Sequence, residues 1–378
     1  MKKLKFALCS LLVLCSCFVL AACAPVEGAE DHTHDYKIKY TIENGKAYIN
    51  EVCMCKEAKA GSKTELSNYV IVSNTQEAQT ALDNAAEGVT IVLNSGNYSN
   101  LYLRKNATSQ SVASNWAGGA NYTFLRKING LSIVGVDDVA VTSINAEANM
   151  YSPNGSAHSQ QSTMPYVNLY LEINNLVVRN IKFTPAEGKV AVQLANSGNK
   201  VSIDGLTIDG CTVNGTNSTI SGGNRLFNSD AQEATEYKDA NGVKIFDGLR
   251  KNITITNCVL NDLHQGFKMN YVENLTVVGN DFNNIKGRDM LIGGGNGEIS
   301  GTITITNNTF DNSTERVCRM NGLVGDLIVK DNVVTNYNGA DPDMFKVVSK
   351  TGATFDFANN YWAGLNDVEA KAEGKILY

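Results

Sequence analysis

Between Ile253 and Asn336 apolar and polar residues alternate in four lines of one shape. The lines are Ile253-Thr-Ile-Thr-Asn-Cys-Val-Leu260, Leu275-Thr-Val-Val-Gly-Asn-Asp-Phe282, Ile303-Thr-Ile-Thr-Asn-Asn-Thr-Phe310 and Leu327-Ile-Val-Lys-Asp-Asn-Val-Val334. In each, alternating apolar residues are followed by a turn pair and then by another apolar residue two places on. A period of two is the signature of a strand with one buried face. The lines start at 253, 275, 303 and 327, so the repeat is 22, 28 and 24 residues long.

That length excludes a strand, a crossover helix and a return strand, which together need about thirty residues or more. A tandem unit of this size is one coil of a solenoid whose inward faces stack into a continuous core. The predicted fold class is all-β, a parallel β-helix. The same line extends upstream through Leu206-Thr-Ile-Asp-Gly-Cys-Thr-Val213, Leu176-Val-Val-Arg-Asn-Ile-Lys-Phe183 and Leu131-Ser-Ile-Val-Gly-Val136. Downstream it continues in Phe355-Asp-Phe-Ala-Asn-Asn-Tyr-Trp362. Asn280, Asn308, Asn332 and Asn360 share one register, with Ile181, Cys211 and Cys258 in the same place. Stacked at about 4.8 Å, such asparagines can bond one another through their amides.

A second strand follows in each coil. The segments are Val190-Ala-Val-Gln-Leu194, Gly242-Val-Lys-Ile245, Gly266-Phe-Lys-Met269, Asp289-Met-Leu-Ile292, Val317-Cys-Arg-Met320 and Met344-Phe-Lys-Val347. Their inward positions are apolar throughout. The residues between point outward: Gln193, Lys244, Lys268, Leu291, Arg319 and Lys346. In this scheme Gly215 to Ala240 is a 26-residue insertion, which leaves 21 of the 47 residues between Val213 and Leu260 for one coil. Asn106 to Asn121 and Ala146 to Thr163 are further polar excursions.

Both ends of a solenoid need a cover, because strand edges and apolar core lie open there. Tyr69-Val-Ile-Val72 predicts a strand, and Asn74 or Ser73 caps a helix from Thr75 to Ala86 that Gly88 ends. That helix places Ala78, Leu82 and Ala85 on one face. At the other end a helix is expected through Asn366 to Glu373.

Lys2, Lys3 and Lys5 precede an apolar run from Phe6 to Leu20, closed by small residues before Cys23. This is the pattern of a secretory signal peptide, residues 1–22. Leu20-Ala-Ala-Cys23 resembles the lipobox of bacterial lipoproteins, which implies an extracytoplasmic protein held on a membrane by a lipidated Cys23. Residues 23–66 then form a tether with a small module, and residues 67–378 the β-helix domain. Removing the leader takes three lysines from 32 Lys+Arg against 38 Asp+Glu, so the net charge moves from −6 to −9. An excess of acid argues against nucleic acid as a partner, since that surface rewards Lys and Arg.

The small module holds His32-Thr-His34, a hairpin over Tyr36 to Ile49 with Asn44-Gly45 at its tip, and Cys53-Met-Cys55. Asn-Gly between alternating runs marks a hairpin, and the hairpin draws the two pairs together. His32, His34, Cys53 and Cys55 have the donors of a tetrahedral zinc site. Unliganded residues and oxidised thiols are the competing expectations in an oxidising compartment. Cys211 and Cys258, in one register on neighbouring coils, fit either a disulfide or two buried thiols.

The repeated lines resemble the right-handed parallel β-helix superfamily that includes pectate lyases, chondroitinase-B-like lyases and many bacterial surface proteins. The resemblance spans roughly Val70 to Trp362. It implies a right-handed coil and, in the pectate-lyase-like enzymes, a polysaccharide lying along an outer sheet. There a Lys or Arg takes the proton α to a uronate carboxylate that calcium or a guanidinium neutralises. Lys244 sits in a Val-Lys strand before an Asn-rich line, as the base of chondroitinase-B-like lyases does. The Arg-His-Gly expected one coil later is replaced by Lys268-Met-Asn-Tyr271. Neither a Gly-His-Gly with clustered aspartates nor an Arg-x-Pro-x-x-Arg is present.

Two expectations follow. The first is a surface-anchored β-helix that binds carbohydrate, acidic polysaccharide or host glycan, through Gln193, Lys244, Lys268, Arg319 and Lys346. The second is a polysaccharide lyase acting on uronic-acid glycans with Lys244, Lys268 and Arg319 as catalytic groups.

Overall fold

The structure is a computed structural model. It describes residues 34–53, 55–104, 122–147, 167–195, 201–216, 224–229, 237–238, 244–246, 250–293 and 298–378. The leader, Cys23 and His32 lie outside them.

Each coil contributes one strand to each of three parallel sheets. On the first face, Val201–Asp209, Arg250–Thr256, Val272–Val278, Ser300–Thr306, Asp326–Lys330 and Thr354–Ala358 lie side by side. The register sets Leu206 against Ile253, then Leu275, Ile303, Leu327 and Phe355. These are the alternating lines of the sequence, and their inward residues from Leu206 to Leu327 are buried. The second face stacks Phe183, Val213, Leu260, Phe282, Phe310, Val334 and Trp362. Phe282 and Phe310 stack with centroids 4.8 Å apart. Successive strands stacked in parallel in three sheets make a parallel β-helix, and parallel crossovers of this kind are right-handed as a rule.

The turn from first to second face carries the asparagine register. Asn308 accepts from the backbone N–H and the side-chain amide of Asn280 at 3.0 and 2.9 Å. Asn332 serves Asn308 in the same way, and Asn360 serves Asn332. Cys258 donates its N–H to Asn280 at the upper end. The residue before each ladder position is left-handed: Asn257, Gly279, Asn307, Asp331 and Asn359 have φ of 53, 66, 55, 55 and 57°. Asn and Asp tolerate that region, which accounts for the turn pairs. Cys211 and Cys258 are buried free thiols pointing at backbone carbonyls.

Helix α1 (Thr75–Asp83) covers the first coil, with Asn74 accepting from the Glu77 N–H and with Ala78 and Leu82 fully buried. It is three residues shorter than the expected Thr75 to Ala86. Helix α2 (Asp367–Ala372) covers the last coil and carries a capping box of Asn366 and Glu369. Asp367 ends the asparagine ladder by accepting from the Asn360 N–H and amide and from the Trp362 indole.

Ahead of the β-helix, strands β1 (Tyr36–Glu43), β2 (Lys46–Cys53) and β3 (Thr64–Glu65) form an antiparallel sheet. Asn44 and Gly45 turn the hairpin with φ of 51 and 76°, as Asn-Gly does in a type I′ turn. The hairpin rests on the turn between the first two faces. Asn180 donates to the Ile38 carbonyl at 2.8 Å, and Arg179 bridges the Tyr40 hydroxyl and Asp209.

Candidate functional site

The third face is built from Val190–Ala195, Arg225–Ser229, Phe267–Met269, Met290–Ile292, Cys318–Leu323 and Phe345–Ser349. One member differs from expectation. Phe227 pairs with Val192 on one side and Phe267 on the other, so Arg225–Ser229 is the strand of that coil. Lys244 instead begins Lys244–Phe246, which pairs antiparallel with Tyr237–Lys238 in a two-stranded sheet off the stack. The segment taken for an insertion therefore contains a coil strand. The excursion runs after it, between Ser229 and Arg250.

The outward row on this face reads Gln193, Asn228, Lys268, Leu291, Arg319, Lys346, each registered with the next. Neighbouring positions stand about one strand spacing, ~4.8 Å, apart. Behind them Phe227, Phe267, Met290, Cys318 and Phe345 are buried. The row is thus carried on packed strands and holds its spacing. Asn228 donates to Gln193 at 3.4 Å and accepts from Arg225 at 3.1 Å.

Arg319 and Lys346 make no ion pair among the described residues. The carboxylates near Arg319 and Lys346 have cationic partners of their own. Arg316 grips Asp343 through Nε and Nη2 at 2.6 and 3.1 Å and reaches Asp341 at 2.8 Å. Glu315 pairs with Arg288 at 3.4 Å and Glu273 with Lys251 at 3.2 Å. Burial presses the Asp343 carboxyl upward, but the Arg316 hydrogen bonds and charge outweigh it and hold the group below the usual carboxylate range.

Other polar residues near this flank make contacts within the chain. Asp289 is fully buried, accepts from Ser313 at 2.6 Å, and is pushed well above the carboxylate range by burial. Asp262 turns the chain with φ of 57° and accepts from Asn284. Arg288 is the partner of Glu315, and the His264 carbonyl accepts the Gly287 N–H at 2.7 Å. Of the Tyr361-Trp362 pair, Trp362 is core and Tyr361 faces out.

A second cluster lies at the open end of the β1–β2 hairpin. His34, Cys53 and Cys55 bring ligand atoms within 4.8 Å of one another. Cys55 Sγ lies 3.5 Å from His34 Nδ1, and the Cys55 N–H donates to Cys53 Sγ at 3.4 Å. The Cys55 side chain, then its N–H and His34, draw the Cys53 thiol down to about 7. The same contact with Cys53 raises Cys55. Three of the four residues expected to hold a metal are therefore together.

No family model matches the chain, and no curated protein matches it. Among solved structures it is similar to a PL6 family alginate lyase, at 14% identity and a TM-score of 0.35, over 89% of this chain and 48% of that one. It is also similar to a Family 28 exopolygalacturonase of Yersinia enterocolitica, at 10% identity and a TM-score of 0.20, over 83% of each chain. The chain spans about half the length of the first of these. The fold assignment rests on the strand register itself.

Sequence reasoning passed over Arg225 and Asn228. The available signal was Leu226-Phe227, an adjacent apolar pair inside an otherwise polar stretch. Both residues are buried, Phe227 in the sheet core and Leu226 beside it.

Proposed function

We propose that the protein binds an acidic polysaccharide along its third face, across Gln193, Lys268, Arg319 and Lys346, with Asn228 buried in the row between the first two. The observation that carries this reading is the side-by-side placement of Arg319 and Lys346, neither in an ion pair among the described residues and with Asp343, which Arg316 grips, as the carboxylate whose charge Lys346 feels, on a chain whose acids outnumber its bases by 38 to 32. Two like charges about 4.8 Å apart repel by roughly 1 kcal/mol in water and by several at an effective dielectric near 20. A carboxylate or sulfate lying across both converts that repulsion into attraction. A polymer with an anion on each unit suits a row that repeats every strand. Leu291, between Lys268 and Arg319, offers an apolar contact for the C–H face of a sugar ring.

The leader and Cys23 support an exported protein tethered by lipid, with this face presented at a membrane surface. Lys244, off the row, is not part of the proposed binding strip.

The test is calorimetric titration with pectate, alginate and chondroitin sulfate, with a neutral dextran as control. At least one acidic polymer binds, more weakly as salt rises. Charge-assisted hydrogen bonds contribute about 1.5 kcal/mol each, so R319A/K346A weakens binding by about 100-fold. Absence of binding to all three, or an unchanged double variant, removes the proposal. Unsaturated uronate products in the same mixtures would replace binding with lyase chemistry.

A further inference from the structure

We infer that His34, Cys53 and Cys55 form a zinc site that locks the base of the N-terminal hairpin, with Glu57 as the outer carboxylate that orients the histidine.

The strand register collects the ligands. β1 and β2 pair along their full lengths, ending with Tyr36 opposite Cys53. His34 lies two residues before that last pair and Cys55 two residues after it. One donor therefore enters from each side of the hairpin's open end, and the third closes β2. Tetrahedral zinc with Zn–S of about 2.3 Å and Zn–N of about 2.0–2.1 Å requires a sulfur-to-nitrogen edge of about 3.5 Å. The Cys55 Sγ to His34 Nδ1 separation is 3.5 Å, and all three ligand atoms lie within 4.8 Å of one another. That edge already has the tetrahedral length, and the other two need to close by no more than about an ångström.

The surroundings are those of a metal-bound imidazole. His34 aims Nδ1 at the thiol, while Nε2 lies 3.5 Å from the Glu57 carboxylate. A ligating histidine gives its second ring nitrogen to such a partner, which fixes its tautomer and orientation. The ring also stacks on Tyr36 with centroids 5.3 Å apart. Cys53 is buried and receives the Cys55 N–H, a donor that favours a thiolate. Among the described residues this is the one group with such a donor set. Three protein ligands leave a fourth position for water or another donor. His and Cys donors select zinc over calcium or magnesium, which take oxygen.

The full chain, purified under reducing conditions, is incubated with zinc chloride, freed of excess metal by gel filtration and analysed by mass spectrometry of the elements. About one zinc per chain is expected. C53S/C55S loses it, and H34A weakens it by at least tenfold. E57Q keeps the stoichiometry but lowers affinity by about tenfold, the low end of the range for outer partners. Cobalt substituted for zinc shows a thiolate charge-transfer band and the visible bands of a tetrahedral ion, both absent from C53S/C55S. Strand content by circular dichroism, unchanged in each variant, shows that the β-helix is intact. The inference is overturned by zinc retained in C53S/C55S, or by a folded chain that takes up no zinc. Copper bound in its place, or an intact mass lower by two hydrogens with no metal, overturns it equally.

Discussion

Asn308 uses every polar atom it has. Its carbonyl oxygen accepts twice from Asn280, while its amide donates to the Val277 carbonyl at 2.9 Å and to Asn332 at 3.0 Å. All of this happens at 1% exposure. Alanine would strand the Asn280 N–H and the Val277 carbonyl without water, at 1–3 kcal/mol apiece, so Asn308→Ala should cost about 3–5 kcal/mol. A thermal midpoint within a degree or two of the parent would show the ladder to be ornamental. Asp289 behaves in the opposite sense, since burial raises its carboxyl well above the ordinary range. The folded chain therefore holds a proton that the unfolded chain releases near pH 4. Stability from this group is full below the unfolded pKa and declines as pH rises towards the folded one, by about 1.4 kcal/mol per unit. Asp289→Asn keeps an acceptor for Ser313 and removes the titration. Its melting temperature should fall less steeply than the parent's as pH rises above the unfolded value near 4, measured as a pH series of thermal unfolding. Parallel slopes would mean that Asp289 is ionised in the folded chain.

At the scale of the strand, what could be read in advance depended on how cleanly inside and outside alternate. First-face lines such as Ile303-Thr-Ile-Thr set β-branched residues on both sides of the pleat and end in a turn asparagine. Period, register and stacking were therefore all legible, as were Lys268, Arg319 and Lys346, each flanked by large inward residues. Arg225–Ser229 has no such contrast, for all five of its residues are buried. Arg225 bonds Asn228, and the Ser229 hydroxyl accepts the Arg250 Nε–H at 2.9 Å. A strand wrapped in polar contacts has no hydrophobic period to detect, whereas Val243-Lys-Ile245 imitates one. The placement of Arg225–Ser229 in the stack has an energetic consequence. Phe227, buried between Val192 and Phe267, should cost about 3–5 kcal/mol when cut to alanine. Chemical denaturation of Phe227→Ala checks this, and a cost below about 1 kcal/mol would take Phe227 out of the sheet core.

For the molecule as a whole, the weak points are the ends, where three parallel sheets stop at once. At the last coil the cover is compact. Phe355 and Phe357 each stack on Tyr378 at 4.7 Å, Lys371 lies 3.8 Å over the same ring, and Trp362 packs edge-on against Phe345. Ile376–Leu377 supplies the final strand of the third face beside Phe345–Ser349. Asp367 closes the asparagine ladder. Ending the chain at Ala363 removes Asp367, Lys371, Ile376–Leu377 and Tyr378 together, while the Trp362–Phe345 contact stays. It bares the edge of Phe345–Ser349, the stacked aromatics and the Asn360 amide, while the upper coils keep their own contacts. Because each coil rests only on its neighbours, the truncated chain should remain folded over most of its length. The exposed edges then offer unpaired N–H and C=O groups to another copy. The expected result is growth of sedimentation coefficient with concentration in the truncated protein, at concentrations where the full chain shows none. Asp367→Ala, which opens the ladder but leaves α2 and Tyr378 as a lid, should lower the melting temperature without producing that association. Should the truncated chain sediment like the full one, stacking would be sealed by the coils alone and the cap would contribute only local order.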